Sequence, residues 1–190
     1  MYPYRDLITE LYGYANGKTW LVDPAFHYAH NFTHQRAIVE KSEGEYWCLN
    51  QKLEFVSLDS VVAPLLKEAR IKQVSNLNEN PADIFAWYMI VEHRREVSFV
   101  LLDHELKPTI LKTIPKKSDY QFYSECGWLL LRIRELGTWK YFSFQPQTLE
   151  QRTLPNFKHY APSKDGHWVV AAINERDDPK SDFITLGESD

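Results

Sequence analysis

The chain has 190 residues, 44% hydrophobic and 25% charged, which excludes a disordered chain and suits one domain, 1–190, with a sizeable core. Its formal net charge of −4 is too small to mark a nucleic-acid binder. No apolar run nears the roughly 20 residues of a membrane helix, so no membrane partner is expected.

Aromatic residues make up 14% of the chain, a richness that favours strands, because flat rings pack well on a pleated face. The start, "MYPYRDLITELYGY", has no basic stretch leading into an apolar one, so no leader is read there and the cytoplasm is the expected location. Cys48 and Cys126 both sit among apolar and aromatic residues and read as reduced packing residues.

In chain order, "YRDLITEL" (4–11) reads as a helical turn covering one edge. Asn16-Gly17 in the next stretch is a hairpin turn signal, because both residue types tolerate positive φ. "RAIVEKSEGEYWCLN" (36–50) is an apolar run, a short charged segment and a second apolar run, the pattern of a β-hairpin. "LEFVSL" (53–58) reads as a third strand. In "LDSVVAPLLKEARIKQ" (58–73), Val61, Val62, Leu65, Leu66 and Ala69 recur at helical spacing. Ser60 reads as the N-cap, and Pro64 falls in the first turn, where its missing N–H is tolerated. A helix near 59–72 is therefore expected, followed by a polar loop, "NLNENPAD" (76–83).

The hairpin pattern returns in "WYMIVEHRREVSFVLLD" (87–103), "WLLLRIRELGTWKYFSF" (128–144) and "WVVAAINERDDPKSDFITL" (168–186). Within 87–91, Trp87, Met89 and Val91 share one face while Tyr88 and Ile90 share the other, as in strands covered on both sides. The leading tryptophans Trp87, Trp128 and Trp168 are spaced 41 and 40 residues apart. Periods of this length mean propellers, solenoids or arrays. "KPTILKT" (107–113) and "EQRTLP" (150–155) read as trailing strands, and Cys48 aligns with Leu101. The fold class expected is all-β: a propeller-like array of about four hairpin or three-stranded units with one inserted helix.

Residues 12–50, "YGYANGKTWLVDPAFHYAHNFTHQRAIVEKSEGEYWCLN", carry a further pattern. Tyr12-Gly13-Tyr14 is an aromatic-Gly-Tyr start, Gly17-Lys18 ends a turn, and Trp20, Leu21 and Val22 form a strand. Pro24, Phe26, Tyr28, Ala29, Phe32, Ala37 and Val39 follow in order. This stretch resembles the WG-repeat (KWG-type) family over about one repeat. Trp47-Cys48 stands where that family begins its next repeat with Trp-Gly, and later units keep only the hairpin rhythm. "YAPSKDGHWVVAAI" (160–173) resembles a β-propeller strand entry instead. The resemblance implies an interaction scaffold and brings no catalytic residue. A leading strand is missing from the hairpin at 12–22 and a trailing one from 168–186, so joining the ends would close a ring and remove exposed edges.

Candidate chemistry is sparse. His27, His30 and His34 follow H-x2-H-x3-H, which on a helix would share one face and could converge on zinc. The repeat alignment instead puts them in a connection, with Phe26, Ala29 and Phe32 as its buried anchors. No metal and no cofactor is therefore assigned. His93, Arg94 and Arg95 with Lys107, Lys112, Lys116 and Lys117 form a possible basic patch or a plain solvated tip. Asp103, His104 and Glu105 make a polar turn. There is no G-x-S-x-G, no phosphate-cradling glycine loop and no H-E-x-x-H, so no enzyme is expected.

The reading is a non-catalytic protein-binding module, in its specific form an immunity or antitoxin protein that masks a bacterial toxin. Trp20 and Trp139 are the candidate exposed anchors, and Trp87, Trp128 and Trp168 the candidate core. The span 174–190 carries six acidic residues, among them Asp177, Asp178 and Asp182, against two basic ones, and would suit a basic toxin domain. The alternatives are a carbohydrate- or small-ligand-binding protein, and a hydrolase whose carboxylates and histidines converge in one central pocket.

Overall fold

A computed structural model describes residues 1–77, 85–125, 128–146, 148–154, 159–162, 168–171 and 183–185. The fold is all-β: the described residues form antiparallel meanders with one short helix. Among the described residues there are five sheets. The chain divides into two compact units, Met1–Lys117 and Ser118–Asp190.

The first unit holds three sheets. The first comprises β1 (Tyr2–Arg5), β2 (Tyr12–Asn16) and β3 (Thr19–Phe26). The second comprises β4 (Tyr28–Ala29), β5 (Arg36–Ser42), β6 (Glu45–Asn50) and β7 (Phe55–Ser57). Helix α1 (Leu58–Val62) leads into the third sheet, β8 (Ala69–Asn76), β9 (Phe85–His93), β10 (Glu96–Asp103) and β11 (Pro108–Pro115).

The second sheet is apolar on both faces because it is a middle layer. Ala37, Val39 and Leu49 face the first sheet, packing with Tyr14, Phe26 and Ala29. Ile38 and Cys48, one residue out of phase, face the third sheet with Trp87, Met89, Val91, Val100 and Leu102. Alternation along one strand thus feeds two cores. Leu58 and Val62 of α1 fill the same second core. The opposite face of the third sheet, including Tyr88, Ile90, Phe99 and Leu101, is buried as well.

The helix is much shorter than its periodicity predicts. It ends at Val62, Ala63 N–H closes on Asp59 O at 3.0 Å, and Pro64 follows. The extended Ser57 is the N-cap, and Ser60 Oγ donates to Ser57 O at 2.6 Å. Residues 69–76 form β8, paired with β9. A register shift between Ile71 and Gln73 breaks the period-two pattern there, which is why the strand reads poorly in sequence. Of residues 4–11, only Asp6–Glu10 make the expected turn, Glu10 N–H donating to Asp6 O at 2.9 Å, while Tyr4 and Arg5 belong to the leading strand of the first sheet, Tyr2–Arg5, which pairs with β2. The first hairpin turns on Gly17-Lys18, with Gly17 at φ +61°, while Asn16 closes the ladder against Thr19.

The second unit holds β12 (Tyr120–Glu125), β13 (Trp128–Glu135), β14 (Thr138–Gln145) and β15 (Glu150–Leu154) in one sheet. A second sheet there pairs β16 (His159–Pro162), β17 (Trp168–Ala171) and β18 (Phe183–Thr185).

One turn recurs. Asn50 Oδ1 accepts from the N–H groups of Lys52 and Glu54 at 2.9 and 3.0 Å. Asp103 Oδ1 accepts from Glu105 and Lys107 at 2.9 and 2.7 Å. Leu53 and Leu106 sit in the same place in the two turns with φ near +65°, at 64° and 68°. Asx side chains that bond the backbone ahead of them stabilise such turns.

Candidate functional site

Two regions of the first unit present chemistry: the outer face of the first sheet and a cleft between turns. The register of the first sheet places Tyr2 opposite Ala15 and Ala15 opposite Trp20. Directly opposed residues point the same way, so Tyr2, Ala15 and Trp20 make one row. Tyr2 is 65% and Trp20 38% exposed, while Ala15 between them is buried. Tyr4 joins the same face opposite Gly13. On the other face lie Tyr14 and Val22, opposite each other and packed into the core. The ladder pairs Ala15 with Trp20 but Tyr14 with Val22, so Leu21 is the extra residue of a bulge. That bulge sends Trp20 out and Val22 in. At the tip of the turn after β1, Leu7 and Ile8 are each 92% exposed.

The cleft is about 550 Å³ and is built from three turns. His34, Gln35 and Arg36 come from the β4–β5 turn and the start of β5, Asn50, Gln51, Lys52 and Glu54 from the β6–β7 turn, and His104 and Glu105 from the β10–β11 turn. The His34 and His104 rings lie 5.5 Å apart, tilted by 31°. His34 and Gln35 take φ of 50° and 64°, an uncommon pair of left-handed non-glycine residues. His34 Nε2 is buried with no hydrogen-bond partner. Asn50 Nδ2 donates to Glu54 Oε2 at 2.7 Å.

The three histidines of the H-x2-H-x3-H stretch diverge. His27 is exposed, and its N–H donates to Glu40 O at 2.8 Å. His30 stacks edge-on against Tyr28 at 4.9 Å, and burial pushes its pKa down to about 4. Only His34 reaches the cleft. Phe26 and Ala29 are buried and Phe32 is half-buried, packing edge-on against Tyr14 at 5.1 Å. Among the described residues no three metal-ligating side chains come together.

Trp139 is half-buried rather than open. It packs with Trp128, Leu130, Tyr141 and Leu154, and the Arg132 guanidinium sits 4.8 Å over its ring. Trp87 is fully buried and Trp128 9% exposed. Trp168 opens β17, but its side chain lies outside the described residues, as do Asp177, Asp178 and Asp182. The basic hairpin tip is paired: Arg94 Nε meets Glu68 at 3.0 Å, and Lys116 meets Glu92 at 2.8 Å. Burial pushes the Cys48 thiol up to about 11 against the opposing pull of Arg36, so it packs rather than reacts. Cys126 lies outside the described residues.

Sequence reasoning missed the cleft. The available signal was the match of "NQKLE" (50–54) to "DHELK" (103–107), which follows from aligning Cys48 with Leu101.

These features define an all-β array of antiparallel meanders with turn-borne polar side chains. No protein-family model matches the chain, and no curated protein matches it. Among solved structures it is similar to the β-propeller domain of Nup133 from Vanderwaltozyma polyspora, with 9% identity and a TM-score of 0.29. The match covers 81% of this chain and 58% of that one. Among the described residues no helix is long and apolar enough to cross a membrane.

Proposed function

We propose that this chain is a non-catalytic protein-binding module whose contact face is the outer side of the first sheet. The observation that carries this reading is the exposed aromatic row Tyr2–Ala15–Trp20, with Tyr4 beside it. Tyrosine and tryptophan dominate interface hot spots, and exposed apolar clusters mark interaction surfaces. The resemblance of residues 12–50 to WG repeats supports a scaffold role. A narrower form makes the partner a basic toxin domain held by an immunity protein. Its support is the acidic span 174–190, which is a sequence feature only.

The cleft is lined by His34, His104, Glu54 and Glu105, residue types that a hydrolase uses, and of these the two histidine rings are in contact. Catalysis also needs preorganised groups in a water-excluded site. Here Glu54 and Glu105 are exposed, Glu54 is tied to Asn50, and no Ser, Thr, Cys or Tyr lines the cleft. The cleft suits binding better than chemistry.

Affinity capture from the native cell tests the protein-binding reading. A partner held by the wild type should be lost with Tyr2→Ser and Trp20→Ser together, and kept with Leu136→Ser, a change at a more exposed apolar residue on a hairpin tip elsewhere. Retention of the partner by the double variant would sink the assignment of this face.

A further inference from the structure

We propose that the cleft formed by the β4–β5, β6–β7 and β10–β11 turns binds a small zwitterion, a molecule with an ammonium group at one end and a carboxylate at the other. This site is separate from the aromatic face and does not rest on the protein-binding reading.

Charge selects the ligand class. Arg36 and Lys52 line the cleft from the second sheet, and Glu105 lines it from the third. The fourth charged residue, Glu54, accepts from Asn50 and is partly satisfied. Positive and negative groups are therefore balanced, and Glu105, the carboxylate without a partner among the described residues, is carried on a different sheet from Arg36 and Lys52. A simple anion would meet Glu105 and Glu54, and a simple cation would meet Arg36 and Lys52. A molecule bearing both signs gains a charge-assisted hydrogen bond at each end. Among the described residues neither Lys52 nor Glu105 is in an ion pair, so both heads are available.

Shape and unmet bonding agree. A volume of about 550 Å³ lies within the range of small-molecule sites, roughly 300–1,000 Å³. It leaves room for more than a free amino acid, so a short peptide fits the same chemistry. His34 lines this cleft, and its Nε2 is buried without a hydrogen-bond partner, so the ring has bonding capacity that the protein leaves unmet. The frame is rigid where it needs to be. Asn50 and Asp103 each lock their turn with two backbone hydrogen bonds, which fixes Lys52 and Glu105 at equivalent places in facing turns. No Trp, Tyr or Phe lines the cleft, so it lacks the stacking platform a neutral sugar would use.

The test is titration of the full chain with the standard free amino acids and glycylglycine, read by calorimetry and by the imidazole resonances of His34 and His104. Matched probes are N-acetylglycylglycine, glycylglycinamide and glucose. The expected result is binding of at least one zwitterion with both imidazoles shifted. Capping either end should weaken binding about tenfold or more, as loss of one charge-assisted bond implies. Glu105→Gln and Lys52→Met, both on exposed turns, should each weaken it similarly. Preference for free amino acids over glycylglycine, or the reverse, assigns the source. The proposal is overturned if no zwitterion shifts the two imidazoles. It is equally overturned if capped probes or glucose bind as well as the zwitterion, or if both variants bind unchanged.

Discussion

Tyr2 and Trp20 stand on one row of the first sheet, exposed on either side of the buried Ala15. Strand pairing brings them together from 18 residues apart in sequence. Because Trp20 is partly open and Trp87 is fully buried, the two tryptophans separate surface from core. Trp20→Ser should cost about 1 kcal/mol or less, while Trp87→Ala should cost about 3–5 kcal/mol. Urea unfolding of both variants decides it; equal losses would mean that Trp20 is a packing residue.

The core was legible in the sequence because it repeats. Trp87, Met89 and Val91 face the second sheet, and Tyr88 and Ile90 are buried on the other side, as their alternation implies. The trailing strands β7, β11 and β15 also lie where apolar runs place them. Leading strands did not show. "YPYR" of β1, two-residue β4 and "YQFYSE" of β12 are short or largely solvent-facing, so they lack an apolar run. The 58–73 stretch misled because a bulge in β8 scrambles its alternation while a short helix precedes it. The cleft was not legible at all. Its walls come from positions 34–36, 50–52, 54 and 104–105, and only the stacking of two sheets makes them neighbours.

Gly13 has no room for a side chain. An added Cβ would stand 2.5 Å from Val22 O and 2.8 Å from Pro24 N, both backbone atoms that cannot swing away. Gly13→Ala should therefore cost about 2 kcal/mol or more through forced backbone shifts. Gly17→Ala meets nothing within 4 Å but must hold φ +61°, so its loss should be about 1 kcal/mol. Thermal unfolding of the two variants gives the order; a Gly17 variant losing more than the Gly13 variant would contradict the close approach of β3.

The capped turns should matter individually. Asp103→Ala removes the acceptor of two backbone N–H groups in the β10–β11 turn. A loss of about 1–2 kcal/mol is expected. Asn50→Ala should cost a similar amount in the β6–β7 turn, where it also releases Glu54. Denaturant midpoints of the single and double variants test this. Near-additive losses are expected, since the two turns share no hydrogen bond among the described residues.

Acid should weaken the fold through His30 before the carboxylates titrate. Burial lowers the pKa of its ring from the ordinary 6.5 to about 4. Between those values the unfolded chain binds a proton that the folded chain refuses. Stability from this group is thus fully present above pH 6.5 and is lost as pH falls toward 4. From pH 7.5 to 5 the loss should be about 1–2 kcal/mol, allowing for the ring's partial exposure. His30→Gln should flatten that slope, and urea midpoints at the two pH values show whether it does. An unchanged slope in the variant would assign the pH dependence to other groups.

The hairpin joining β13 and β14 offers a stabilising change. Its ladder closes at Glu135 and Thr138, leaving Leu136 and Gly137 as a two-residue loop. Both take positive φ, 50° and 84°. Tight hairpins prefer Asn-Gly in that geometry, because Asn tolerates the left-handed region and a leucine Cβ crowds it. Leu136 is fully exposed, so its side chain contributes no packing that the substitution would remove. Leu136→Asn should therefore raise stability by about 0.5–1 kcal/mol and shrink the apolar surface at the tip. A higher denaturant midpoint with an unchanged slope would show the relief of strain directly. A lower midpoint would mean that Leu136 packs against something in solution, and capture experiments with the same variant would then identify that contact.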